Sequence, residues 1–140
     1  MELKDLWTAA AVLMGFQLAA FVWRLNRETD VSKQGGANWM PPADYLSLLS
    51  MFTTVFGVFV LPIAGVLPPL ASQRLFGLSL ILFAGYQLAL LGHYKLLFRG
   101  AVQFPGKYVT GDELLIVLIT LAGGALYLAV AFGFVALQRQ

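Results

Sequence analysis

The sequence contains no cysteine, and it has a single histidine among its 140 residues. The absence of cysteine excludes disulfides, thiol redox chemistry and thiolate metal sites, and it leaves the cellular compartment open. One histidine cannot supply a bis-histidine haem pair, and other metal chemistry would need clustered His, Asp, Glu or Cys. We therefore expect no metal site.

Charged residues are also scarce. They make up 11% of the chain, whereas a soluble domain carries about 25%. Hydrophobic residues make up 59%, so a soluble domain of this size could not cover its surface with polar groups. The net charge of +2 is small and scattered, which argues against a nucleic-acid partner. This composition is typical of a chain whose main solvent is lipid.

Four apolar stretches are each long enough to cross a bilayer, which takes about 20 residues. None of the four contains Asp or Glu. They predict an all-α integral membrane protein, an antiparallel bundle of four transmembrane helices in a single domain over residues 1–140. The predicted helices span residues 6–23, 46–67, 75–98 and 114–137, and residues 24–45 form the longest loop.

Lysine and arginine counts predict the orientation of the bundle. One side carries fewer of these residues than the other, and the richer side is expected to be cytoplasmic. Residues 24–45 and 99–113 would then be cytoplasmic loops, both termini would lie outside, and the membrane would be a bacterial-type inner membrane. The opening residues, MELKD, lack the positive region of a cleaved signal, so we expect the first helix to be retained. The poorer side holds Lys4, Arg74 and Arg139, and the richer side holds Arg24, Arg27, Lys33, Arg99 and Lys107.

Five hydrogen-bonding side chains fall near one level in the middle of the predicted membrane. A rise of 1.5 Å per residue places them within a few ångströms of each other along the bilayer normal. Buried amides in lipid must find partners, so this layer is either interhelical packing or the lining of a ligand pocket or narrow pore. The residues of this midplane layer are Gln17, Thr53, Thr54, Gln87 and Thr120.

Three cationic or potentially cationic residues come at the end of the third predicted helix. His93 and Lys95 lie about 27–30 Å from the start of that helix, at the cytoplasmic boundary. Long basic side chains usually extend to the interface there. The other interpretation is a cluster of His93, Lys95 and Arg99 that holds a lipid phosphate or a quinone head. The sequence therefore predicts no cofactor, with a bound lipid or quinone as the alternative.

Small residues recur at every fourth position on three helices. Such stripes let helix backbones approach closely where lipid offers no hydrophobic drive. They serve either packing within one chain or contact with another subunit, and the chain offers more stripes than four helices need. The stripes are Ala11, Gly15 and Ala19; Gly85 and Ala89; and Ala125, Ala129 and Gly133.

These features favour a non-enzymatic membrane protein, because no catalytic arrangement or phosphate-binding loop stands out. We expect an accessory or structural subunit of a larger membrane complex, with membrane lipids and either other subunits or further copies of the chain as partners. The alternatives are a small oligomeric channel or carrier built on the midplane layer, and a lipid- or quinone-binding protein. The lack of an acid in the predicted spans argues against a proton-coupled carrier.

Overall fold

A computed structural model of the chain describes residues 2–33, 40–94 and 110–137. It contains four long helices: α1 (Leu3–Lys33), α2 (Pro42–Ile63), α3 (Pro69–His93) and α4 (Gly111–Leu137). Each contains a segment that is long and apolar enough to cross a membrane. The predicted all-α, four-helix membrane bundle is therefore confirmed.

The helices begin earlier than the predicted bounds. Helix α2 begins at Pro42 instead of 46, and α3 begins at Pro69 instead of 75. In both, a proline occupies the first turn, where its missing N–H costs nothing and its fixed φ suits the helix. Helix α4 begins at Gly111 instead of 114, and Thr110 accepts a 3.2 Å hydrogen bond from the Glu113 amide as its cap.

The first helix also extends well past its predicted end at residue 23, because Arg24 does not stop it. Arg24 is buried, and helix α1 continues to Lys33. With these helix bounds, Glu28, Asp44 and Glu113 lie inside apolar helices whose predicted spans contain no acid. The predicted end of the third helix at 98 lies outside the described residues.

A five-residue turn, 64–68, joins α2 to α3 and makes these helices antiparallel. Helix α2 ends at Ile63 instead of 67 because Gly65 takes a positive φ of 73°, a conformation that glycine adopts without strain. The amides of Gly65 and Val66 close the helix end by donating to Pro62 and Leu61 at 3.0 and 2.9 Å.

Each helix buries a seam of residues spaced alternately three and four apart. This 3.5-residue period is that of left-handed helix bundles, in which side chains of one helix fill holes in the next. Helices α2 and α3 lie at the centre, and each contacts both flanking helices, α1 and α4. The α1 seam consists of Leu6, Ala10, Leu13, Gln17, the partly buried Ala20, and Arg24; the α4 seam includes Glu113, Val117, Thr120 and Gly124.

Glycines bring α3 and α4 close together at three successive levels. A Cβ at any of these positions would meet the facing helix at less than ordinary contact distance. The order of the pairs runs in opposite directions along the two helices, so α3 and α4 are antiparallel neighbours. The pairs are Gly77 with Tyr127, Gly85 with Thr120, and Gly92 with the backbone of Asp112 and Glu113.

The start of α1 is held to α2 by one hydrogen bond to a carbonyl that Pro62 leaves free. Proline has no N–H to donate to the carbonyl four residues back, which is that of Val58. The indole N–H of Trp7 donates to the Val58 oxygen instead, at 2.9 Å. This end of α2 is π-helical over Val55–Val60, a local widening that often accompanies such a disturbance.

Replacing Trp7 with phenylalanine should therefore loosen α1 from α2. We expect the free energy of unfolding to fall by about 0.6 kcal/mol and by no more than about 2 kcal/mol, the usual range for one interhelical bond in a membrane. Unfolding in mixed micelles of mild detergent and dodecyl sulfate measures it. Trp23→Phe is the control, since Trp23 is 58% exposed; equal losses in the two variants would contradict a role for the Val58 bond.

Candidate functional site

Ionic and hydrogen-bonding side chains from all four helices meet at one end of the bundle. We call this group the helix-end cluster. It lies close to the C-terminal ends of α1 and α3 and at the N-terminal ends of α2 and α4. Its members are Arg24 and Glu28 of α1, Asp44 of α2, His93 and Tyr94 beside the end of α3, and Glu113 of α4.

Arg24 joins three helices within this cluster. It is 1% exposed, and its Nε lies 3.4 Å from Asp44 Oδ1. Its Nη1 donates to the Tyr94 hydroxyl at 2.8 Å and to Glu28 one turn further along α1. A guanidinium stays charged in proteins, so its burial requires partners of this kind. Arg27 adds a cation–π contact, 4.0 Å from the centre of the Tyr94 ring.

Glu113 joins the other side of the cluster. Its side chain is completely buried, and both of its oxygens are used. Oε1 accepts the Ala43 amide at 3.1 Å, one of the free N–H groups at the start of α2. Oε2 lies 2.8 Å from His93 Nδ1. A carboxylate is favoured at a helix N-terminus, so Glu113 fixes the start of α2 against α3 and α4.

The carboxylates of the cluster contact two different partners. Glu28 and Asp44 contact the Arg24 guanidinium, whereas Glu113 contacts His93. One proton must lie between His93 Nδ1 and Glu113 Oε2, because two bare acceptors would repel at 2.8 Å. This pair is therefore joined by a hydrogen bond between α3 and α4.

One member of the predicted midplane layer anchors a hydrogen-bond chain across three helices. Gln17 is completely buried, and its Nε2 donates to Ser50 Oγ at 2.6 Å. The Ser50 hydroxyl in turn donates to the Ser79 carbonyl at 2.6 Å. Helices α1, α2 and α3 are thus joined by polar groups at one level. Ser50 and Ser79 are additions to the predicted midplane layer.

The remaining members of the midplane layer are placed differently. Thr53, Thr54 and Thr120 each donate to the carbonyl four residues back in their own helix, at 2.8–3.0 Å. Thr54 and Thr120 are buried, and Thr53 is partly buried. Gln87 is exposed on the outer face of α3, so the structure does not bring it to Gln17.

Of the three rim residues, the structure describes His93 alone; Lys95 and Arg99 lie outside the described residues. His93 is 16% exposed, and its Nδ1 faces Glu113. This contact uses one ring nitrogen that a lipid phosphate or quinone head would otherwise bind. Among the described residues, no group of three or more His, Asp or Glu side chains is placed to hold a metal ion.

The small-residue stripes divide into one that faces inward and two that face outward. Gly85 and Ala89 of α3 are buried in the bundle. All the members of the α1 and α4 stripes are exposed, and a Cβ built at Gly15 or Gly133 meets no described atom. At about 100° per residue, these two stripes lie about 150–180° around their helices from the buried seams.

An apolar groove of about 320 Å³ opens on the outer surface between α2, α3 and α4. Thr53 supplies the one polar side chain in its lining, and Ala125 of the α4 stripe forms part of its edge. The groove and the α4 stripe are therefore continuous. Its other lining residues are Leu49, Leu78, Leu82, Leu121, Gly124 and Leu128.

Comparison of the chain with protein-family models, with curated proteins and with solved structures finds no match. A function is therefore inferred from the geometry of the described residues. Two features of that geometry stand out: a polar interior that begins at the helix-end cluster, and two helix faces of small residues that point away from the bundle.

Proposed function

We propose that the protein is a non-catalytic membrane subunit that associates with other transmembrane helices through the outward faces of α1 and α4. The observation that carries the proposal is the exposure of both stripes, Ala11, Gly15 and Ala19 on one helix and Ala125, Ala129 and Gly133 on the other. Its partners are other membrane subunits or further copies of the chain, together with lipids.

Helices in lipid are held together by close packing and not by the hydrophobic effect. Apolar surface gains nothing by leaving lipid, so association depends on close packing and on hydrogen bonds. Small residues permit the closest packing, and α3 already uses Gly77 and Gly85 in this way against α4. The outward stripes offer the same surface without a described partner. Because α1 and α4 flank the bundle, the two stripes suit two separate neighbours.

Added bulk on an outward stripe should reduce association and leave the fold intact. We expect Gly15→Leu or Gly133→Leu to lower partner binding about tenfold, which corresponds to about 1.4 kcal/mol. Native mass spectrometry after gentle detergent extraction reports the partners and the copy number together. The matched control is Gly123→Leu, since Gly123 is exposed on α4, has no described atom near its Cβ position, and lies off the stripe.

Two results would contradict the proposal. One is wild-type chain that is extracted alone, as a monomer. The other is wild-type partner yield in both stripe variants. A loss of yield in Gly123→Leu equal to that in Gly133→Leu would also count against it, because the effect would then follow from bulk anywhere on α4 and not from the stripe.

We further propose a bacterial-type inner membrane as the location, with the helix-end cluster on the cytoplasmic side and both termini outside. The excess of lysine and arginine on the cluster side supports this orientation. Helix α1 supports it too, because its last turns carry Arg27 and Lys33 past the buried Arg24. Residues 24–45 and 99–113 would then face the cytoplasm.

A further inference from the structure

Four buried polar atoms have no hydrogen-bond partner among the described residues; Asp112 Oδ2 lies at the start of α4, and the other three lie inside the bundle. These three are Gln17 Oε1, Ser47 Oγ and Tyr86 Oη, and their residues are completely buried. Each comes from a different helix: α1, α2 or α3. An unpaired polar group in an apolar interior is costly, and buried water that makes two to four hydrogen bonds is the usual remedy.

The three atoms belong to one continuous polar face. Helix α2 places Asp44, Ser47 and Ser50 three residues apart, at steps of about 4.5 Å along its axis and about 60° around it. All three are buried. Gln17 meets this face at Ser50. Tyr86 packs against the start of α2 and lies within electrostatic range of Asp44. The polar face therefore runs from the helix-end cluster to the hydrogen-bond chain at Gln17.

The outer end of this face is open to water. His93 is 16% exposed and Glu28 is 21% exposed, whereas Glu113 and Arg24 behind them are buried. Water can therefore reach the rim of the cluster. The charged or titratable groups on the described parts of the four helices here are Arg24, Arg27 and Glu28 of α1, Asp44 of α2, Tyr86, His93 and the adjoining Tyr94 of α3, and Asp112 and Glu113 of α4.

The inner end of the face is closed. Thr54, one turn beyond Ser50, donates its hydroxyl to the Ser50 carbonyl and so needs no water. Past it, Leu6, Ala10 and Val58 form a completely buried apolar cluster. Polar access from the opposite end of the bundle is thus blocked along this seam.

We propose that α1, α2 and α3 enclose a hydrated inlet, a column of bound water that enters at the helix-end cluster and ends at Gln17. Its ligand class is water, held by the Tyr86 hydroxyl, the Ser47 hydroxyl and the Gln17 amide oxygen. The inlet gives groups near the middle of the membrane contact with one aqueous side, as a channel or carrier requires. It does not depend on the association proposed above.

Cysteine accessibility tests the inlet directly, because the natural chain has no cysteine. Single variants Ser47→Cys, Leu48→Cys and Thr54→Cys are placed in lipid nanodiscs and exposed to silver ion for timed intervals. Unreacted thiols are then alkylated after denaturation and counted by mass spectrometry. Only the thiolate reacts and it forms only beside water, so Ser47→Cys should react at least about tenfold faster than the other two.

The two controls are matched to Ser47 in different ways. Leu48 has nearly the same depth on α2 but is exposed on the lipid side, and Thr54 lies on the same inner face beyond the proposed end. Equal rates for Ser47→Cys and Leu48→Cys would overturn the inlet. A Thr54→Cys rate equal to that of Ser47→Cys would overturn its closed end.

A second measurement does not depend on introduced thiols. In a dry interior, Tyr86→Phe removes a hydroxyl that has no partner among the described residues, so the variant should gain stability. In a hydrated inlet, the same change removes a hydrogen bond to water, so the stability should stay the same or fall. Increased stability of Tyr86→Phe in mixed micelles would overturn the proposal.

Discussion

Replacing Arg24 with methionine is expected to lower the free energy of unfolding by about 3–5 kcal/mol, the usual cost of removing one partner from a buried ion pair. Methionine keeps much of the volume but removes the charge, which leaves Asp44 buried at 4% exposure without its cation. Glu28 is more exposed and can turn towards water. Unfolding of the variant in mixed micelles, followed by helical circular dichroism, measures the loss.

The matched control is Arg27→Met, three residues along the same helix. Arg27 is exposed and contacts the face of the Tyr94 ring, so its loss should cost no more than about 1 kcal/mol. The double variant Arg24→Met with Asp44→Asn should recover part of the loss, because the uncompensated charge is then gone. If Arg24→Met were no worse than Arg27→Met, the buried ion pair would have no structural role.

The cluster also explains why its acids escaped the sequence analysis. A charge beside an apolar run predicts the end of a membrane segment, which is usually correct because a lone charge in lipid is expensive. Here, Arg24 and Asp44 lie on facing helices and neutralise each other, so both can remain inside helices. The seam of α1 held the missing signal, because its three-and-four spacing from Leu6 continues without a break to Arg24.

The two glutamines of the midplane layer lie at similar depths but on different sides of their helices. Rise per residue places Gln17 and Gln87 near one level, but it says nothing about rotation around the helix axis. Gln87 follows Tyr86 by one residue, about 100° away from the buried seam, and is exposed. Gln17 lies on its seam and is buried. Depth and seam together would have separated the two glutamines.

The four long apolar runs are enough to predict the fold class, because such runs with few charges have no other stable form in lipid. The sequence does not indicate which stripe packs inside the bundle and which face outward, because all three share the same spacing. The structure separates them by what each glycine faces: Gly85 meets Thr120, whereas Gly15 and Gly133 meet no described atom.

The close contact at Gly85 leaves no room for a larger side chain at that position. Replacing Gly85 with leucine should destabilise the bundle by about 3 kcal/mol or more, because added bulk in a packed core forces backbone shifts. The first added carbon would already overlap the Thr120 side chain, and leucine adds three more. Separation of α3 from α4 would follow, measured as lost stability in mixed micelles and lost protection of α4 amides from hydrogen exchange.

Gly123→Leu is the matched control on α4, because a Cβ there meets no described atom. It should be neutral or slightly stabilising, since leucine favours the helix more than glycine does. The reciprocal pair Gly85→Ala with Thr120→Gly moves the bulk from one helix to the other and should be more stable than Gly85→Ala alone. Equal stability of these two would mean that the helices do not approach each other at this level, and the glycine-based packing of α3 on α4 would then be wrong.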